Sequence, residues 1–218
     1  KGDPADFIDV KDLEEFEDLQ TYIDGQLVAE NGESFIEKKK CVPINRFNCK
    51  LKKPEDFKIE ANGRESLPVI EALDGQLITN RLDLAIPVVN GNFESDVKND
   101  ILKMVVVNRY QNAPVAKAFI RNFGLKSGAL ASSVAHDSHN IVAVGCDDES
   151  LCRAVNLIIA NEGGVSCVNE GHEMVVALPV AGLMSADDGF KVADAYTAID
   201  AMAKDAGSHL GAPFMTLS

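Results

Sequence analysis

Between Ala135 and Ile141 the chain reads His136-Asp137-Ser138-His139-Asn140. Imidazoles three positions apart lie on one side of a tight turn, but on opposite faces of an extended strand. In a turn both rings could reach one ion or one small molecule, with His136 and His139 as metal ligands. Asp137 could then orient a ring or act as a base, and Asn140 could read a donor and acceptor pair. The competing reading is structural: Asp, Ser and Asn side chains satisfy backbone groups at turns and strand ends, and short H-x-x-H spacings match often by chance. The density of the cluster, beside the small residues of "GALASSVA", argues for a ligand-facing surface, because small side chains let another segment approach closely.

Other polar candidates carry less chemistry. His172 stands at a strand start beside Glu173, and His209 sits between glycines where a cationic ring suits a helix C-terminus. "GLMSADDG" could be a ligand loop, but its Ser185 already reads as a helix cap. Gly163-Gly164 and Gly207 with Gly211 match no phosphate-loop pattern, and no G-x-S-x-G, H-x-H or H-E-x-x-H occurs. No residue of this chain is assigned a catalytic role.

The elements that must position the cluster are read from period and punctuation. "NIVAVG" directly after it is a buried strand, and "DDESLCRAVNLIIANEGG" is a helix with acidic residues at its start and glycines at its end. "GVSCVNEGHEMVVALP" is a hairpin around Asn169-Glu170-Gly171. A last helix is expected from Ala186 to about Ala206, capped by Ser185 with Asp188 three residues on, and carrying a stripe of Val192, Tyr196, Ile199 and Ala203. Upstream, "APVAKAFIRNFG" predicts a short helix started by Pro114 and stopped by Gly124. Asp74-Gly75, Asn90-Gly91 and the run "DILKMVVVNRY" predict an antiparallel meander. Near the N-terminus, "TYIDGQLVAENG" is a hairpin around Asp24-Gly25, while "KDLEEFEDLQ" has helical composition for a turn or two at most. Residues 37–57 mix lysines and prolines without a period and read as a connector. The expected fold class is α+β, with a small β unit over residues 1–50 and a mixed C-terminal domain over 51–218.

Composition limits the partners. The chain has 218 residues, with 21 Lys and Arg against 34 Asp and Glu, a formal charge of −13. Such a surface repels phosphate backbones and anionic membranes, so neither nucleic acid nor a bilayer is expected as a partner, although a nucleobase in a closed pocket is compatible. No apolar run approaches bilayer length, and the N-terminus is unlike a signal peptide. The cysteines, Cys41, Cys49, Cys146, Cys152 and Cys167, are odd in number and form no C-x-x-C pair. They read as reduced thiols in a cytoplasmic protein.

The segments "GLKSGALASSVAHDSHNIVAVG", "AVNLIIANEGG", "LPVAGLMS" and "LGAPFMTLS" resemble, in order and content, the C-terminal region of adenine deaminases of the amidohydrolase superfamily. The resemblance runs from about Ile101 to Ser218. "GDPADFIDV" with "TYIDGQLVAENG" is similar to the segment where amidohydrolases return from the catalytic barrel to a small β-sandwich. The resemblance implies a parent enzyme that hydrolyses adenine to hypoxanthine and ammonia, with water activated by a divalent metal (Mn, Fe or Zn) held mainly by the barrel. It also implies that the barrel lies upstream of Lys1, so that this chain is a fragment, inactive alone, whose partners are the barrel and adenine. The alternative is a non-catalytic interaction or oligomerisation module of a related inactive protein, and a homo-oligomer fits either reading.

Overall fold

A computed structural model describes residues 2–37, 39 and 42–218. Cys41 and Lys40, expected as a free thiol and as part of the connector, lie outside the described residues, as does Lys38. The chain divides into two units, 1–41 and 42–218.

The first unit is an antiparallel meander of β1 (Phe7–Val10), β2 (Asp18–Ile23), β3 (Gln26–Glu30) and β4 (Glu33–Ser34). Its hairpins turn at Asp24-Gly25 and Asn31-Gly32, all four residues at positive φ, the conformation two-residue hairpin turns require. The stretch of helical composition forms a turn, because Asp12 Oδ1 accepts the amides of Glu14 and Glu15 and so offers the backbone a closed alternative to a helix. No strand residue of this unit is fully buried, and Phe7 and Ile8 are more than half exposed.

In the larger unit, two short strands, β5 (Ile59–Glu60) and, further on, β8 (Val88–Val89), pair with β9 (Asn92–Phe93) in a small sheet. The main sheet is built from β6 (Ser66–Glu71), β7 (Asn80–Ala85), β10 (Ile101–Val107), β11 (Ala116–Arg121), β12 (Ala129–Ser132) and β13 (Ile141–Gly145), continued by β14 (Gly164–Asn169) and β15 (His172–Ala177). Its strand order is β15-β14-β12-β13-β10-β11-β6-β7. Every neighbouring pair is antiparallel except β6 with β11, so the sheet is mixed and not a simple meander. Helix α1 (Asp148–Ala160) covers one face through Leu151, Val155 and Ile158. Helices α2 (Gly189–Asp205) and α3 (Pro213–Leu217) cover the other through Ile199, Ala203, Phe214 and Leu217. With helices on both faces, β13 is buried at all five positions, which is why it reads as an unbroken apolar run. This is the expected α+β class.

Besides the meander, two expectations are corrected. Residues 116–121 are a strand, not a helix. Val115, Phe119 and Ile120 have helical spacing, but Phe119 and Ile120 are buried in separate clusters on opposite faces of the sheet. Six residue pairs to β10 and three to β6 override the local preference. The last helix begins at Gly189, with Asp188 as its cap accepting the amide of Phe190. Ser185 instead accepts the amide of Asp187 in the preceding turn. Of the expected stripe, Ile199 and Ala203 are fully buried, while Val192 and Tyr196 are half-buried against the same core.

Candidate functional site

The ends of β10, β12 and β15 and the starts of β13 and β14 meet at one end of the sheet, since Val107 pairs with Ile141, Ser132 with Val142 and Val165, and Gly164 with Ala177. The polar cluster lies here as a turn over residues 136–138. His136, Asp137 and Ser138 are exposed, and His139 and Asn140 are half-buried. Asp137 and His139 hold positive φ (63° and 47°), which costs a residue with a Cβ and keeps the segment out of strand geometry. The amide of His139 donates to Ala135 O at 2.8 Å, closing the turn, while its ring Nδ1 is buried without a hydrogen-bond partner. Asn140 Oδ1 accepts the amide of Arg109 at 3.3 Å. The carboxamide of Asn140 is therefore committed in part to structure, whereas His136 and Asp137 remain open to solvent.

Arg109, two positions past the end of β10, is the centre of this end and is only 4% exposed. Its Nη1 donates to Asn45 Oδ1, its Nη2 to Ala181 O and Tyr110 Oη, and its guanidinium lies over the rings of Tyr110 and Phe47. Tyr110 Oη donates in turn to Ser138 O. No carboxylate pairs with Arg109 among the described residues, and its Nε is buried without a partner.

The segment read as a connector, and the motif "LPVAGLMS", converge on the same guanidinium. Asn45 Nδ2 donates to Glu162 O and Pro179 O, Ile44 O accepts the amide of Ala181, and Asn48 N donates to Arg109 O. Ser133 Oγ donates to Gly182 O and accepts the amide of Gly164. The glycines are steric necessities: a Cβ on Gly163 would come within 2.4 Å of Gly182 Cα, and one on Gly182 within 2.2 Å of Arg109 Nη1. "EGG", "VAGLMS" and "AHDSHN" are thus neighbours in space.

The remaining candidates do not join them. His172 is exposed at the β14–β15 turn, at the opposite end of the sheet, and His209 is exposed in the loop after α2, its ring against Gly124. Sequence reading missed Arg109 and Tyr110, which "VVVNRY" presents as a strand tail; the signal was an arginine two positions past the end of a buried strand.

Among the described residues, no three His, Cys, Asp or Glu side chains stand together as a metal site needs. An ion held by His136 and His139 would need its other ligands from beyond the described residues. The described cysteines add none: Cys49, Cys146, Cys152 and Cys167 are free, and burial raises the pKa of all four, that of Cys146 and Cys167 to about 12. They are thiols at neutral pH, and neither nucleophiles nor ready ligands. No helix among the described residues is long and apolar enough to cross a membrane.

Residues 76–218 match the family described as the adenine deaminase C-terminal domain. Along its whole length the chain is similar to proteins named adenine deaminase: 48% identical to one from Salinibacter ruber, 48% to one from a Sulfurovum species and 46% to one from Methanosarcina acetivorans. It spans 40%, 39% and 41% of their respective lengths.

Proposed function

The chain belongs to the adenine deaminase C-terminal domain family, and from that premise we propose that it is the accessory part of an enzyme that hydrolyses adenine to hypoxanthine and ammonia. The observation that carries this reading is similarity over the full chain to proteins named adenine deaminase. The proposed parent uses a divalent metal (Mn, Fe or Zn) to activate water, and the described residues here do not fit that centre, so no step is routed through it in this chain. The reading places the protein in the cytoplasm, in purine salvage.

Within this reading, the end of the sheet around Arg109 faces the catalytic barrel, and His136, Asp137, His139 and Asn140 are the side chains presented to it. Two buried donors or acceptors without partners, Arg109 Nε and His139 Nδ1, support this, because buried polar atoms are nearly always paired and a second surface would supply what is missing. Their role is positioning: the turn, fixed through Tyr110 and Asn140, offers the barrel or its ligand a preset arrangement of imidazoles and a carboxylate.

The test uses the full-length protein. His139→Ala should lower turnover or metal content by about tenfold or more while leaving the melting temperature nearly unchanged; an equal loss of stability, or no loss of turnover, returns the cluster to a structural role. The 218-residue chain alone should release no ammonia from adenine, with or without Mn²⁺, Fe²⁺ or Zn²⁺. The competing reading, a non-catalytic interaction module, requires that the upstream sequence lack an H-x-H barrel strand.

A further inference from the structure

A second polar site lies away from the motifs above, in a groove of about 740 Å³ between residues 50–56 and the loop that leads into β11. That volume is in the range of small-molecule sites. Its base is Lys52, only 8% exposed in a chain whose lysines are otherwise mostly at the surface. Helix α1 fixes it: the Lys52 amide donates to Asn156 Oδ1 at 2.8 Å, and its carbonyl accepts from Asn156 Nδ2 at 3.0 Å and from Cys152 Sγ at 3.2 Å.

The Lys52 ammonium, by contrast, is poorly satisfied. It donates to Asn112 Oδ1 at a long 3.4 Å, and no described carboxylate lies within ion-pair distance. Lys103, the other buried lysine among the described residues, shows what this chain does with such a charge elsewhere: it is paired with both Asp148 and Glu94. A buried ammonium without a counter-charge is costly, and a chain with 34 acidic residues has no shortage of carboxylates to place there. Lys50, Lys53 and Lys117 line the same groove. Against them stand Glu55 and Asp56, of which Asp56 already accepts the Lys53 amide; Lys117 gives one proton to Lys58 O.

We propose that this groove binds a phosphate-bearing anion, with Lys52 as its buried counter-charge and Asn112 beside it. Lysines serve phosphate as point charges approaching from several directions, and four of them border this one concavity. Adenine carries no phosphate, so the site is separate from the proposed substrate and stands whether or not that reading does.

Calorimetric titration of the protein with inorganic phosphate, pyrophosphate and a phosphomonoester, each against acetate at matched ionic strength, tests the assignment. Saturable binding of the phosphates and not of acetate is expected. Tighter binding of the phosphomonoester places its organic part along Leu51 and Pro114; equal binding assigns the inorganic ion. Lys52→Met should weaken binding by about tenfold or more. Asn112→Asp, which sets a carboxylate where the anion's charge would lie, should abolish binding and raise the melting temperature. Lys50→Ala with Lys53→Ala should weaken binding without a change in melting temperature. Absence of saturable phosphate binding, equal binding of acetate, or full affinity in Asn112→Asp or in the Lys50/Lys53 double variant would overturn the proposal.

Discussion

Arg109 gathers into one side chain what the sequence distributes over three segments: a pair of stacked rings, an asparagine 64 positions upstream and a carbonyl 72 positions downstream. Lysine has the charge but neither the planar fork nor the stacking face. Arg109→Lys is therefore expected to lower stability by about 2–4 kcal/mol, read as a shift in urea midpoint at constant slope. Gly182→Ala should cost a comparable amount by a different route, combining a φ of 72° with the collision against Nη1. A shift under about 0.5 kcal/mol in either variant would mean that the cluster relaxes freely. The buried thiols supply a pH test. Cys146 and Cys167, ordinarily near 9.0, are raised to about 12 mainly by burial. Above pH 9 the unfolded chain gives up these protons while the folded chain keeps them, so the folded state binds more protons and stability falls as pH rises from about 9 towards 12; below 9 their contribution is fully present. Cys167→Ala should flatten that decline in a urea titration across the alkaline range, and an unchanged slope would assign the decline to other groups. At this scale, the residue types of the 136–140 turn were legible because their chemistry is intrinsic. The contacts of Gly163 and Gly182 were not, because a glycine in sequence does not show what atom occupies the space of its absent Cβ.

Elements were legible where local and global preferences agree. Helix α1 has its cap, acidic first turn and glycine stop within one segment, and Asp147 caps it as an N-terminal carboxylate should, accepting the amide of Ser150 at 2.7 Å. Strand β11 was misread because its identity resides in its neighbours: the alternation of Phe119 and Ile120 between two cores becomes visible only when β10 and β6 flank it. The join between α1 and β10 rests on Lys103, fully buried, ion-paired to Asp148 in the first turn of α1 and 3.7 Å from Glu94. Glu94 itself has a raised pKa, chiefly from burial, with Lys103 opposing the shift. Lys103→Met strands the Asp148 charge under the helix and is expected to cost about 3–5 kcal/mol, whereas Lys103→Met with Asp148→Leu should recover most of it. Equal destabilisation in the single and double variants would show that the pair is worth more than its desolvation penalty.

For the whole molecule, the unit of residues 1–41 has strands with no fully buried residue, while the unit of 42–218 has layered cores on both faces of its main sheet. Amides of β2 and β3 are accordingly expected to exchange with solvent far faster than those of β10 and β13, since opening them exposes little apolar surface. Equal protection in a dilute monomer would show that the first unit is stable by itself. The α+β class and the existence of a separate N-terminal β segment followed from pattern and turn chemistry. The mixed sheet did not, because the parallel pairing of β6 with β11 joins residues about 50 positions apart and leaves no local trace. Asn45 and Lys52 extend that distance: their anchors lie 117, 134 and 104 positions downstream. During synthesis the segment carrying them leaves the ribosome before any of its partners exists, and it must wait for nearly the whole domain. Such long-range closure makes folding slow and leaves sheet edges bare in the interval. Aggregation is therefore expected to track the time the chain takes to be completed, so that slower synthesis should raise the insoluble fraction.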